Sequence, residues 1–343
     1  MDDTSAAFVA RRAPRPPAGE PFVARAPRAS ASAAVARTTE GFGALAAVVA
    51  DPSVTDVFVN GPGELWVDRG AGLVRETSPL VDETQVRELA VRLVARGGRH
   101  IDEASPCVDT RLEHGVRVHA VLPPVSPVGT LLSVRFPAMV ALGLDDLERA
   151  GAFARVGRDR VEALVADRRN VLVTGAGGSG KTTLLSAMLA AAPPDERIVA
   201  IEDVAELRVR HPHFIALEAR QPNLEGAGEV PLARLLREAL RMRPDRLVLG
   251  ECRGAEIREL LAALNTCHDG GAGTLHANSL DDVPARLEAL GALAGLGPEA
   301  IARQAVSALH AVLHLERVDG TRRVAQIGGF ALDARDRLTV VPG

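Results

Sequence analysis

The sequence predicts an α/β fold in which a large, mostly parallel β-sheet follows a smaller α/β domain. Three observations support this prediction. Apolar strand-like runs alternate with amphipathic helical segments from residue 170 to residue 276. A shorter block of strands with one helix precedes them, and a chain of 343 residues with 47% hydrophobic composition is long enough for two cores. Alternation of strands and helices is typical of a sheet covered by helices on its faces.

The composition argues against several functions. A net charge of −4, with 8 Phe, 1 Trp and no Tyr, provides neither a basic field nor stacking platforms, so we expect no direct nucleic-acid binding. Cys107, Cys252 and Cys267 form no C-x-x-C pair, which argues against a zinc clip or a disulfide framework. We expect no signal peptide, and the sequence contains no apolar run of the roughly 18 residues that a membrane span needs. We therefore expect a cytoplasmic protein.

The first 40 residues differ from the rest of the chain in composition. They contain 12 Ala, 6 Arg and 5 Pro, with few bulky apolar residues. Such a segment buries too little apolar area to offset the entropy of ordering, so residues 1–40 are predicted to be a disordered tail. A basic arm that contacts anionic lipid or a partner is the alternative.

The small N-terminal domain is predicted from residue 41 to residue 137. Segment 82–98 has the spacing of an amphipathic helix, which Asp82 can cap and which Gly97 and Gly98 can end. The remainder is predicted to be short strands, at residues 54–59, 64–68, 111–112, 116–121 and 131–136. Residues 138–160 mix short helix and loop, and are predicted to be a linker between the domains.

The second domain is predicted over residues 161–343. Its alternating part has strands at 170–174, 197–202, 246–250 and 272–276, with helices at 180–191, 231–242 and 255–265. Two more helices, at 282–290 and 298–309, are expected to be followed by strands at 311–317, 322–331 and 337–341. Parallel strands connected in this way have their carboxyl ends at one edge of the sheet, where functional residues are expected.

The first strand of this domain leads into the sequence GAGGSGKTT, which matches the phosphate-binding pattern G-x-x-x-x-G-K-[ST]. Its glycines let backbone N–H groups surround phosphate oxygens, and the following helix adds its positive dipole end. This predicts binding of ATP with Mg²⁺, the hydroxyl of Thr182 being directed to the metal. The predicted nucleotide-binding residues are Gly175, Gly177, Gly178, Ser179, Gly180, Lys181, Thr182 and Thr183.

Lys181 is the single lysine of the chain, beside 39 arginines. A compact, mobile ammonium can reach the β- and γ-phosphates, where a planar guanidinium is a poor substitute. The retention of lysine at this one position therefore supports a functional phosphate-binding loop.

Carboxylates follow two of the predicted parallel strands. Glu251 ends the strand RLVLG in the Walker B manner and is predicted to orient or deprotonate the attacking water. Glu202, Asp203 and Glu206 end the strand IVAIE and its extension. We expect Glu202 and Asp203 near Mg²⁺ and Glu206 in a catalytic role, although some of these acids could be ordinary exposed residues.

A histidine ends the last parallel strand of the alternating part. His276, between Thr274 and Asn278, is predicted to sense the γ-phosphate, the alternative being a structural histidine satisfied by hydrogen bonds. His310 and His314 have the i, i+4 spacing of a helical metal pair, but a strand is expected to begin between them.

In this order, the four elements resemble Walker A, Asp box, Walker B and His box of the type II/type IV secretion system ATPase superfamily. The resemblance is closest to the Tad/Flp pilus assembly branch, which includes the conjugal-transfer-associated ATPases of actinobacteria. The matching segments include 53-SVTDVFVNGPGELWVDRG-70, 201-IEDVAEL-207, 222-PNLEGAGEV-230, 237-REALRMRPDRLVLGECRG-254 and 274-TLHANS-279.

The resemblance implies a P-loop NTPase with a RecA-like core and a small α/β N-terminal domain. It also implies a hexameric ring at the inner face of the cell membrane, working with inner-membrane platform proteins of a secretion or pilus system. Arg117 and Arg135 match positions whose arginines reach the phosphates in this family, and Arg241 and Arg243 have a weaker match to intersubunit contacts.

Three other functions remain compatible with a phosphate-binding loop. A DNA translocase or conjugal-transfer ATPase would use the same core, but the acidic charge balance disfavours it. A non-hydrolysing nucleotide-dependent scaffold is disfavoured by the intact Lys181, Thr182, Glu251 and His276. A P-loop kinase would need a lid rich in arginine, which the sequence does not contain.

Overall fold

The computed structural model describes residues 39–70, 72–137, 141–220, 227–266 and 269–343, all within one unit of the chain. Most of the predicted tail and part of the matching segment at 222–230 lie outside these residues, as does Cys267. No helix in the described ranges combines the length and apolar composition that crossing a membrane requires.

The N-terminal part is an antiparallel sheet with one long helix packed on it. The strand order is β3-β2-β1-β6-β5-β4. Its strands are β1 Asp56–Val59, β2 Glu64–Asp68, β3 Leu73–Thr77, β4 Cys107–Arg111, β5 Arg117–Val121 and β6 Leu131–Arg135, and its helices are α1 Ala46–Ala50 and α2 Glu83–Arg96.

Helix α2 follows the prediction from its sequence. The Asp82 side chain accepts a hydrogen bond from the Gln85 backbone N–H at 2.9 Å, so it caps the helix start. The apolar stripe of α2 is buried and packs with the alternating inward residues of the strands, which form one core. This core supports the sheet on which the N-terminal arginines lie.

The second part is an eight-stranded sheet in the order β14-β13-β12-β7-β11-β10-β8-β9. Strands β12, β7, β11, β10, β8 and β9 run parallel, and β13 and β14 extend the sheet antiparallel at one side. The strands are β7 Val171–Gly175, β8 Ile198–Glu202, β9 Phe214–Glu218, β10 Arg246–Leu249, β11 Ala272–His276, β12 Ala311–Val318, β13 Thr321–Leu332 and β14 Leu338–Pro342.

Helices cover both faces of this sheet. Apolar side chains of β7, β8 and β10 are buried against one helical layer or the other, which gives the domain two cores. Leu144, Leu147, Phe153 and Val156, from the segment predicted as a linker, belong to one of these cores. The helices are α3 Leu144–Arg149, α4 Arg158–Ala166, α5 Lys181–Ala190, α6 Leu232–Leu240, α7 Ile257–Leu264, α8 Val283–Leu293 and α9 Pro298–Ala308.

The mostly parallel sheet predicted from the sequence is confirmed. Two strands were missed, and the strand predicted at 111–112 shares only Arg111 with the observed β4. Strands β3 and β9 are edge strands whose residues are largely half-buried or exposed, so their apolar pattern is weak. Strand β12 starts between His310 and His314, as predicted, so the two histidines do not share a helix. The carboxyl ends of β7, β8, β10 and β11 lie at one edge of the sheet, which brings their following residues together.

Candidate functional site

The phosphate-binding loop joins β7 to α5. Gly175 has φ +149°, and a Cβ atom there would lie 2.5 Å from both the Leu315 carbonyl oxygen and Ser179 Oγ. Gly180, the residue before α5, has φ +98°, in the region that side chains rarely adopt. Glycine is therefore required at these two positions by space and by backbone conformation.

Lys181 lies in the first turn of α5 and is buried inside the loop. Its Nζ donates to the carbonyl oxygens of Gly175 at 2.9 Å and Ala176 at 3.0 Å. Burial lowers the pKa of Lys181, and the carboxylates of Glu251 and Glu206 oppose this shift. The ammonium thus lies within electrostatic reach of two acids that the sequence predicted to be catalytic.

Glu251 follows β10 and has both carboxylate oxygens engaged. Its Oε1 lies 2.7 Å from Nε2 of His276. Its Oε2 accepts a hydrogen bond from Nε of Arg253 at 2.7 Å and forms an ion pair with Nη2 of the same guanidinium at 2.5 Å. Arg253 also lies 3.9 Å from Asp203, so it links the Walker B carboxylate to the Asp box.

His276, at the end of β11, lies beside the phosphate-binding loop. Its Cε1 would be 3.9 Å from a Cβ placed on Gly177. Burial lowers the pKa of His276, the charges of Lys181 and Arg253 lower it further, and Glu251 acts in the opposite direction. Because a carboxylate oxygen can only accept, the 2.7 Å contact with Glu251 is assigned to an Nε2–H donor of His276.

The three acids of the Asp box lie in different environments. Glu202 is 4% exposed, and its carboxylate accepts from the backbone N–H groups of Glu206 at 2.9 Å and Leu207 at 3.1 Å. Burial raises the pKa of Glu202, while these two hydrogen bonds lower it. Glu202 therefore shapes the turn after β8, whereas Asp203 and Glu206 are half-buried and open to the site.

Two arginines of the N-terminal sheet reach the Asp box. Arg117 Nη2 lies 2.9 Å from Glu206 Oε1. Arg111 forms an ion pair with Glu218 and donates to the Ala205 carbonyl oxygen at 3.4 Å. Arg111 and Arg117 are cross-strand partners in β4 and β5, and this register was not visible in the sequence.

Arg135 is the third member of this cross-strand row, opposite Arg117. Its Nε donates to Asp56 Oδ1 at 2.9 Å, and the side chain is 65% exposed. The structure does not bring Arg135 to the phosphate-binding loop, in contrast to the expectation from the sequence. Arg241, on the exposed end of α6, pairs with Glu238.

Further features fit a bound nucleotide phosphate with Mg²⁺. Ser179 Oγ is buried without a hydrogen-bond partner inside the loop, and Arg117 Nε is likewise buried without one. Thr182 and Thr183 are half-buried in the first turn of α5, at its positive dipole end. Thr182 and Asp203 carry oxygen atoms of the kind that Mg²⁺ prefers, while the Glu202 carboxylate accepts hydrogen bonds from backbone amides.

A parallel sheet, a glycine loop with a buried lysine and a strand-end glutamate define a P-loop nucleotide-binding protein. The family model described as "Type II/IV secretion system protein" matches residues 38–327. The chain belongs to this family, and the superfamily resemblance predicted from the sequence is confirmed.

Two relatives and one solved structure illustrate the similarity. A protein of Mycobacterium tuberculosis (strain CDC 1551 / Oshkosh), named as a conjugal transfer protein, is 50% identical over 294 residues, which are 84% of each chain. Conjugal transfer protein TrbB of Rhizobium radiobacter is 31% identical over 286 residues, 81% of this chain and 84% of TrbB. The pilus retraction motor PilT with bound ADP has the same fold, with a TM-score of 0.56 and 21% identity over 79% of this chain and 78% of PilT.

Proposed function

We propose that the protein is an ATP-hydrolysing motor of a type II/IV-like secretion or Tad/Flp pilus assembly system. The observation that carries the proposal is the contact of His276 with Glu251 beside the loop that holds Lys181. This arrangement supplies a cation for phosphate, a base for water and a histidine that orients the base. Mg²⁺, when bound, would neutralise charge on the phosphates.

In this proposal Lys181 exchanges the carbonyl oxygens of Gly175 and Ala176 for phosphate oxygens. Glu251 accepts the proton of the attacking water after one of its two partners, His276 or Arg253, releases it. Thr182 and Asp203 are the proposed Mg²⁺ ligands, and Glu202 serves by shaping the turn that presents Asp203 and Glu206.

The N-terminal arginines provide a route from the site to domain motion. Arg117 pairs with Glu206, and Arg111 pairs with Glu218, so two ion pairs join the N-terminal sheet to the parallel sheet. We infer that phosphate competes with Glu206 for Arg117, and that hydrolysis is thereby coupled to movement between the domains. Arg135 would have to break its ion pair with Asp56 before it could contact the phosphates.

The proposed working unit is a homo-oligomeric, hexameric ring in the cytoplasm, peripheral at the inner face of the membrane. Its proposed partners are inner-membrane platform proteins. The test is ATP hydrolysis by the purified protein over a range of protein concentrations, with Lys181→Ala as the blank. Specific activity that rises with concentration is expected for sites completed between subunits, and activity equal to the blank at every concentration would reject the hydrolysing motor.

A conjugal-transfer motor is a second candidate, because relatives at 50% and 31% identity carry conjugal transfer names. The acidic net charge of −4 gives it no general basic field for DNA. Hydrolysis that double-stranded DNA stimulates, with a steep decline as salt rises, would favour this candidate. Hydrolysis unchanged by DNA would favour the pilus or secretion motor.

A further inference from the structure

Arg322 contacts the phosphate-binding loop from a strand that no nucleotide motif includes. Its Nε donates to the carbonyl oxygen of Gly178 at 2.9 Å, across 144 positions of sequence. Its Cδ would lie 3.2 Å from a Cβ atom on Gly180, so the stem of Arg322 passes closely over the loop. One side chain therefore spans the outer side of the loop from Gly180 to Gly178.

The sheet fixes the position of this arginine. Strand β12 pairs with β7, with Leu315 opposite Gly175, and β13 pairs with β12, with Arg322 opposite Arg317. Because successive side chains of a strand point to opposite faces, Arg323 leaves on the other side, where its Nε donates to Glu316 at 2.6 Å. The strand pairs β7–β12 and β12–β13 therefore place Arg322 beside the loop.

The contact with Gly178 has a consequence for the inside of the loop. The carbonyl of one residue and the N–H of the next point in opposite directions across a planar peptide. With the Gly178 carbonyl held on the outer side, the Ser179 N–H is directed inward, where it donates to the Ala176 carbonyl oxygen at 3.3 Å. Lys181 Nζ donates to this same oxygen, so the two donors meet at the Ala176 carbonyl group.

We propose that Arg322 is a positioning residue for the phosphates of a nucleoside di- or triphosphate. Its Nε–H holds the Gly178 carbonyl outward, and the loop keeps the shape in which the Ser179 N–H faces the phosphates. This inference rests on the proposed nucleotide-dependent function. It assigns the effect to the Nε donor, and not to the positive charge of the guanidinium.

Three substitutions separate the donor from the charge. Arg322→Gln places an amide nitrogen at the same number of bonds from Cα as the arginine Nε, so it keeps a donor to Gly178 without the charge. Arg322→Lys keeps the charge but moves the donor one bond further, and Arg322→Ala removes both. Arg323→Gln is the matched control, because its neighbouring side chain faces away from the loop and pairs with Glu316.

The measurement is the dissociation constant for ADP by calorimetry, with the thermal midpoint of each variant taken without nucleotide. We expect Arg322→Ala and Arg322→Lys to weaken ADP binding by about fivefold, the effect of one net hydrogen bond. Arg322→Gln and Arg323→Gln should stay within about twofold of wild type. The thermal midpoints of the four variants should not follow the order of their ADP affinities. A purely structural role of Arg322 would change the thermal midpoints and leave ADP binding unchanged.

Other results would overturn the proposal. Wild-type ADP binding by Arg322→Lys together with weak ADP binding by Arg322→Gln would assign the effect to the positive charge. Wild-type ADP binding by all three Arg322 variants would exclude a role of Arg322 in binding. Wild-type protein that does not bind ADP, or binds it equally well as Lys181→Ala, would instead reject the nucleotide function on which the inference rests.

Discussion

His276 and Glu251 are joined by a 2.7 Å contact between Nε2 and Oε1 at the carboxyl edge of the parallel sheet. The other oxygen of Glu251 accepts a hydrogen bond from Arg253 Nε and forms an ion pair with Nη2 of the same guanidinium. Each carboxylate oxygen of Glu251 therefore already contacts a protein partner. We propose that one of these partners moves away when Glu251 accepts a proton.

Substitution of Glu251 should separate binding from chemistry. Glu251→Gln keeps the size of the side chain and removes its basicity, so ADP binding is expected within about twofold of wild type. Hydrolysis of ATP should fall by at least about 10²-fold. Single-turnover hydrolysis and ADP calorimetry on the same preparation measure the two effects, and a variant that hydrolyses ATP at the wild-type rate would exclude Glu251 as the base.

Substitution of Lys181 should reduce nucleotide affinity as well as turnover. Lys181→Ala removes the donor that now holds the Gly175 and Ala176 carbonyl oxygens. A charged hydrogen bond contributes about 1.5–3 kcal/mol, so ADP binding should weaken by at least about tenfold. Lys181→Arg should not restore binding, because the fork of a guanidinium does not fit the loop; full recovery by arginine would show that charge alone suffices.

Arg117 should contribute to turnover with little effect on the free energy of unfolding. Its ion pair with Glu206 is partly exposed, and such pairs contribute about 0.2–1 kcal/mol. Arg117→Ala should slow ATP hydrolysis on the order of 10³-fold, as expected for an arginine that neutralises transition-state charge. Arg75→Ala, which removes an exposed pair with Glu64 in the same sheet, is the control; equal rates for the two variants would remove Arg117 from the mechanism.

The stability of the second domain should depend on pH through His314. This histidine is 5% exposed, its Nδ1 lies 3.0 Å from Thr174 Oγ1, and burial lowers its pKa below the ordinary value of 6.5. The unfolded chain then binds a proton below about pH 6.5 that the folded chain does not, so the free energy of unfolding falls as pH decreases. The slope from this group is at most about 1.4 kcal/mol per pH unit.

Urea unfolding at several pH values between 5 and 8 measures this slope for wild type and His314→Gln. The variant should be less stable at pH 8, because it alters the hydrogen bond to Thr174. Its stability should decline less steeply as pH decreases. Since every other titrating group is shared, parallel curves for the two proteins would refute the assignment to His314.

The sequence alone was sufficient to predict those parts of the protein where the local residue pattern and the side-chain chemistry indicate the same structure. Strand β11 has the predicted bounds, and the glycines and Lys181 of the loop were found from their spacing alone. It could not separate Glu202 from Asp203, because β8 is buried on both faces and has no alternation to indicate where a terminal side chain points. Glu202 is buried because the Gly250 and Leu207 segments pack around it. Asp203, one residue later, is more exposed.

The arginines of the site were the hardest to predict. Arg111 and Arg322 are two of 39 arginines and lie in none of the segments quoted above, and Arg253 lies in the matching segment 237–254 without a role assigned to its side chain. Their positions follow from strand register and from the order of strands in the sheets, which are tertiary properties. The same register pairs Arg135 with Asp56 of the neighbouring strand, and the predicted contact of Arg135 with the phosphates stays a prediction.

The strand order also has a consequence for biosynthesis. Strand β7 lies between β11 and β12, so the phosphate-binding loop that follows it acquires its flanking strands only from residues 272–276 and 311–318. A nascent chain that has emerged only through α5 contains every residue of the loop but lacks the Leu315 carbonyl and Arg322 that contact it. Pairing over such long sequence separations forms slowly and late. We therefore expect the loop to reach the geometry described above only in a chain that has been synthesised beyond residue 322.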